Sequence, residues 1–331
     1  MNEGRATMPG DFSIFVGTVG IGFSGVWCSQ DGGETWSIPK GMRDELDCCA
    51  LASDPHHPEV IFAGLYNGIY HSDDGGVNFH RIESAVNAFG VWSVAIDPTN
   101  SDVIFIGCRP GAIFRSKNGG MTWNELPVDF VSEGFFGGPT RVLAMVVDPE
   151  DPRTVWAGVE ADGIRRSRDG GDTWARIEAG FTAPDIHGIS LSPGAVFVST
   201  DAEAFVSTDH GESWTAIGVP DRFAPLLSCR QIAVKPDDPD VVYLALGDND
   251  YTKATGAVAR SGDRGETWEL LSLPTVPNSP IWNLAVHPAN PDRLVCSSHF
   301  GQVFVSEDSG DSWRKVSREF SEIRALAWAP H

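Results

Sequence analysis

Five side chains have the type and placement to move a proton or attack a bond: His187, Asp248, Asp250, Tyr251 and His299. A histidine near a carboxylate can serve as general base, and a tyrosine as acid or nucleophile. Asp248 and Asp250 stand two apart, which on extended backbone gives them a common face. Two carboxylates flanking a bond would perform glycoside hydrolysis; the competing reading is that they only shape the turn at 247–256. Arg109, Arg141, Arg230 and Arg324 offer planar donor forks suited to a carboxylate, phosphate or sulfate. Trp92 and Trp282 can wall a sugar or aromatic ring. The structural alternative pairs the arginines with Asp129, Glu133, Asp221, Glu319 or Glu322 on neighbouring loops. No His-x-His or His-Glu-x-x-His spacing occurs. No cofactor is therefore expected, and a divalent metal would need ligands gathered from distant parts of the chain.

The composition narrows what can hold these groups. Lys and Arg number 24 against 45 Asp and Glu, a formal net charge of −21. Such an acid excess excludes non-specific nucleic-acid binding and docking on an anionic membrane surface. No apolar run approaches the ~20 residues of a membrane-spanning helix. Residues 1–10 are polar, lack the basic start and apolar stretch of a secretory signal, and read as a flexible tail. A cytoplasmic location is the expectation. The six cysteines form no Cys-x-x-Cys pair; buried free thiols are expected, not a disulfide framework or zinc site.

An internal repeat supplies the scaffold. The string Ser-Gln-Asp-Gly-Gly-Glu-Thr-Trp at 29–36 returns, with variations, at 72–79, 116–123, 167–174, 207–214, 261–268 and 306–313. These seven copies of S-x-[DN]-x-G-x-[TSN]-[WF] recur about every 46 residues, which fills the chain and leaves no room for a second domain. Ahead of each copy stand an alternating apolar stretch ending in Pro, then two short β-rich runs; a last strand begins at the aromatic residue. Four strands per unit of this length describe a propeller blade. The fold expected over 1–331 is all-β: one seven-bladed β-propeller with four-stranded antiparallel blades and one motif per blade. The chain opens on a second-strand run at 14–17 and ends on a first-strand run at 323–330. The C-terminal strand should therefore pair into the N-terminal blade and close the ring, which removes an exposed sheet edge.

The motif explains itself locally. Its Asp or Asn can accept hydrogen bonds from turn amides, its Gly permits positive φ, and its Trp or Phe buries a large area between sheets. These strings are identified as Asp-boxes, or BNR repeats, and the chain resembles the propellers that carry them: sialidases, two-propeller xyloglucanases, sortilin-type receptors and photosystem II assembly propellers. The resemblance implies that the motif carboxylates lie on the face opposite an active site. The sialidase pattern is departed from: there is no Arg-Ile-Pro near the start and no assignable Tyr–Glu pair. Xyloglucanases of this type place their acids between two propellers, whereas one is expected here.

Ligands would meet the loops joining one blade to the next and the second strand to the third. With the first strands aligned on the residue before Pro, the position five earlier holds Cys49, Trp92, Leu143, His187, Arg230, Trp282 and Arg324. These seven should ring the mouth of the central channel, with Arg141 close by and residues 130–138 as a flap. The functional expectation is a pocket for a small anionic or carbohydrate-like ligand. If it is catalytic, hydrolase or lyase chemistry is expected with His187 as base and the arginines as anion clamps. The contrasting class is a protein-interaction platform.

Overall fold

A computed structural model of the chain describes residues 10–20, 24–43, 47–134, 137–177, 180–181, 184–248 and 255–331. The segment expected as a tail, residues 1–10, lies outside these apart from Gly10. The described residues form seven antiparallel sheets, six with four strands and one with three. Blade 3 shows the pattern: Gly90–Asp97, Asn100–Arg109, Ile113–Ser116 and Asn124–Glu125 pair in chain order. Each runs only until a turn signal, such as Asp-Pro-Thr-Asn at 97–100 or the motif itself, reverses the chain.

The three-stranded sheet is the seam of the ring. Glu322–Pro330 pairs antiparallel with Phe12–Val19, which pairs with Gly25–Ser29. Where a fourth strand would lie, Ser37 makes a single bridge to Cys28. The strand from the far end of the chain is thus the innermost of blade 1. The other inner strands are Cys48–Ser53, Gly90–Asp97, Val142–Val147, Ile186–Ser192, Ser228–Lys235 and Ile281–Ala285, for blades 2 to 7. Each touches the next, and that of blade 1 touches that of blade 2, so the circle closes.

The apolar core is divided among seven slabs, one at each junction between blades. Phe197 of blade 5 packs with Leu244 of blade 6, for example, and Phe62 of blade 2 with Ile104 of blade 3. Close approach at these junctions depends on small residues in the second strand. A Cβ on Gly107 would lie 2.5 Å from the Val142 side chain of the next blade, so any larger residue there would push the two inner strands apart.

The Asp-boxes cap the third strands. In blade 4, Ser167 Oγ donates to Asp169 Oδ1 (2.8 Å) and accepts from the Gly171 amide (2.8 Å). Asp169 accepts from the Thr173 amide (2.8 Å) and hydroxyl (2.6 Å), and Trp174 Nε1 donates to the Gly171 carbonyl (3.0 Å). Gly171 sits at φ +96°, which a side chain would strain. The box is also gripped from the preceding blade. The carbonyl after the motif Asp accepts from Arg115 at Gly170, Arg166 at His210, Arg260 at Ser309 and Arg314 at Gly32. All six cysteines are free and buried.

Candidate functional site

The inner strands do more than line the channel. Each carries a β-bulge, and the register skips one residue at the same place in all seven blades: Cys49, Trp92, Leu143, His187, Arg230, Trp282 and Arg324. A bulge leaves its extra residue out of the ladder and re-aims its side chain. Here it turns seven side chains into one cavity of about 620 Å³, lined by these residues together with Arg141, Asp185, Asp201 and His299. The third strand of each blade runs away from this mouth, so the Asp-boxes lie on the opposite face.

The cationic groups are held in two ways. Arg141 Nε donates to Glu160 Oε2 at 2.7 Å and its Nη2 to Oε1, a bidentate pair in which the carboxylate side chain is 3% exposed. Its guanidinium covers the Trp92 ring, 4.6 Å from the centroid. Arg230 Nη1 meets His187 Nε2 at 2.8 Å, and its Nη2 reaches Asp201 Oδ1 at 2.7 Å. It also lies 4.2 Å from the Trp282 ring centroid. Arg324 sits 5.2 Å from the same ring, and among the described residues its one ion pair is with Glu322, through Nη2. Its side chain is 27% exposed, so its remaining donors face the cavity.

The histidines differ from simple general bases. A guanidinium only donates, so Nε2 of His187 accepts from Arg230 when it carries its lone pair and donates to Asp185 when it carries a proton; in either form the nitrogen a base would use is occupied. Asp185 Oδ2 lies 3.3 Å from the same nitrogen. Burial pushes the Asp185 carboxyl up, yet the His187 hydrogen bond and the charges of His187, Arg230 and Arg141 outweigh it and hold it below the ordinary range. His299 stacks on Trp282 at 4.1 Å and Phe300 at 4.7 Å. Burial first, then the Arg324 and Arg230 charges, drop it to about 3, so it is neutral at physiological pH. Burial likewise pushes the Cys49 thiol up to about 12, which keeps it unreactive.

Of the residues singled out from sequence, the cavity gathers His187, His299, Arg141, Arg230, Arg324, Trp92 and Trp282. Arg109 stands apart, in a side pocket of about 140 Å³ with Gly134, Gly138 and the Arg141–Glu160 pair. Asp248 follows the strand Asp238–Gly247, and its amide donates to Thr255 O at 3.1 Å. Asp250 and Tyr251 lie outside the described residues, as do Phe135 and Phe136 of the expected flap. Among the described residues no group of three His, Cys, Asp or Glu is placed to hold a metal. The pairing partners differ from those expected: Glu322 is one, but Glu160 and Asp201 take the places given to other loop acids. Both follow second strands, Val155–Val159 and Ala195–Thr200, in the turns that face the mouth. Asp185, two residues before His187, was equally open to that reasoning.

The comparisons with known proteins agree with this architecture. The BNR/Asp-box repeat model matches residues 205–216. A xyloglucanase of Hypocrea jecorina is 28% identical over 250 residues, 62% of this chain and 29% of that protein. One from Paenibacillus is 26% identical over 66% of this chain and 25% of its own length. The chain thus spans less than a third of these curated relatives. Among solved structures, the GH74 xyloglucanase from Xanthomonas campestris superposes with a TM-score of 0.69 at 16% identity, over 97% of this chain and 53% of that one. YCF48 bound to D1 peptide gives 0.57 at 16% identity, over 82% of each chain. The protein is a seven-bladed propeller of the Asp-box type, and its sequence relatives include xyloglucanases.

Proposed function

We propose that the channel mouth binds a small anionic ligand, carbohydrate acids included, and that it binds without cleaving. The supporting observation is Arg324. It is partly exposed at the cavity wall beside Arg230, with one carboxylate neighbour among the described residues and donors left over, in a chain of net charge −21. Arg230 adds positive potential, while Arg141 is spent on Glu160. The tryptophan faces carry guanidinium or imidazole partners. Among the described residues, Tyr66, 5.7 Å from Trp92, and Phe300, 4.7 Å from His299, are exposed aromatic rings beside the mouth; they offer stacking surfaces for a ring.

Cleavage of a glycoside would require a carboxyl group kept protonated near neutral pH. The described carboxylates at the mouth do not suit this. Asp185 is held ionised, and Glu160, Asp201 and Glu322 each face an arginine.

The test is a thermal-shift panel of uronic acids, sialic acid, phosphosugars and neutral oligosaccharides. A ligand at a hundred times its dissociation constant adds about 2.7 kcal/mol of stability. Arg324→Ala removes a partly buried ion pair and leaves the buried Glu322 Oε1 without its cation, so the unliganded protein should lose about 1 kcal/mol. The substitution should weaken an acid by about 1.5–3 kcal/mol. A panel without a shift would transfer the mouth to a protein partner, and release of sugar from xyloglucan oligosaccharides would overturn the binding-only reading.

A further inference from the structure

The cavity has a second layer below its charged rim. Two residues beyond each bulge, the inner strands carry Leu51, Val94, Met145, Ile189 and Leu326, all lining the cavity. The two remaining blades have Ile232 and Leu284 at this position, buried beside the channel. The seven bulge positions vary from Cys to Arg, yet the position two further on is apolar every time. Leu51, Val94, Met145 and Ile189 pack sideways onto the slabs between blades and are only partly buried, so they present the rest of their surface to the channel.

Such a layer offers water few of the two to four polar partners it needs to settle. The neutral polar side chains of the lining, Ser93, Gln231 and Asn283, are each engaged with protein: Ser93 donates to Val142 O, Gln231 accepts from the Leu284 amide and Asn283 donates to Ser297. The layer is also ill suited to a free sugar, whose hydroxyls would lose their partners. The charge is confined to the rim above it: Arg324, Arg230 and Arg141 with their carboxylates. A molecule that satisfies both layers has one anionic head and an apolar body, oriented head outward.

Resting on the anion-site reading above, we infer that the ligand is an amphiphilic monocarboxylate, aliphatic or aromatic, whose head meets Arg324 and whose apolar body descends to the Met145 and Ile189 layer. The head would take the donors Arg324 has left. The body would cover apolar surface that the protein leaves open, and the volume of about 620 Å³ accommodates a compact chain or a single ring.

The test is isothermal titration of the purified protein with hexanoate, heptanoate, octanoate and 3-phenylpropanoate, beside glucuronate and 1-octanol. Affinity should rise roughly fourfold for each methylene added, octanoate should exceed both glucuronate and 1-octanol, and Arg324→Gln should weaken the acids at least tenfold. Met145→Gln should weaken octanoate severalfold and leave glucuronate unchanged. If glucuronate binds through Arg324 and the alkanoates do not, the apolar body is wrong while the anion site stands. If no acid binds, the anion site itself falls and this inference with it. Binding of 1-octanol as tightly as octanoate, or an octanoate affinity indifferent to Met145→Gln, would also overturn it.

Discussion

In the Asp-box, Ser167, Asp169 and Thr173 close their hydrogen bonds within seven residues of chain. At the channel mouth, Arg230 reaches His187 across a blade boundary, 43 residues away, and Asp201 from the turn after a different strand. Both regions repeat sevenfold with one backbone geometry. In the first the residue types repeat too, because each hydrogen bond needs its own partner nearby. In the second only the bulge repeats, and the side chain it presents is free to differ. The contrast shows how one wheel separates what holds it together from what it can recognise.

The sharpest way to break that division is Arg141→Ala. Arg141 belongs to the mouth by position but to the scaffold by contact. Removing it strands the buried Glu160 carboxylate and should cost about 3–5 kcal/mol in denaturant unfolding. A cost below 1 kcal/mol would return Arg141 to the ligand-binding group. Next comes Trp174→Ala, where the lost ring packs at the slab between blades 3 and 4. The ring is only half-buried, so the expected loss is about 3 kcal/mol, with acid binding at the mouth unchanged in the folded fraction. A loss of binding at constant stability would mean that the two faces are coupled.

The smallest effect concerns pH. Hydrogen bonds from Thr173 and Ser167 lower Asp169 to about 2 from an ordinary 3.8. Its folded value lies below its unfolded one, so its contribution is complete above about pH 4 and fades as pH falls through 2. Asp169→Asn should therefore differ from wild type near neutral pH and converge with it below about pH 2, as followed by melting temperature. Blade 3 already carries the neutral version: Asn118 Oδ1 accepts the Thr122 amide (2.9 Å) and Nδ2 donates to the Thr122 hydroxyl (2.9 Å). Asn118→Asp should introduce the acid dependence that Asp169→Asn removes. Parallel acid profiles in both variants would show that the box carboxylates do not contribute in this way.

Much of the architecture is legible in the sequence because its causes are local or periodic. The Asp-box strings, the Pro that ends each inner strand and the unpaired runs near both ends suffice for seven blades and a seam. Counting back six from Pro also finds the ring, since every blade bulges at the same step. The ion pairs are less accessible. Glu160, Asp201 and Asp185 reach their partners by turn geometry and side-chain length, neither of which has a period in the sequence. The occupancy of the Trp282 face by Arg230 and His299 comes from two neighbouring blades meeting at the channel. The apolar layer two residues beyond the bulges was readable, however, as Leu51, Val94, Met145, Ile189, Ile232, Leu284 and Leu326 stand in strict register.

The seam also sets a timetable for biosynthesis. Phe12–Val19, buried along its whole length, acquires its inner neighbour only from Glu322–Pro330. A ribosome that has made six blades still leaves one edge of that apolar strand unpaired, and the missing contacts span some three hundred residues of chain, among the slowest to form. Nascent protein should therefore be vulnerable to edge-to-edge association until Glu322–Pro330 emerges. Holding that strand apart during synthesis is a natural task for a chaperone.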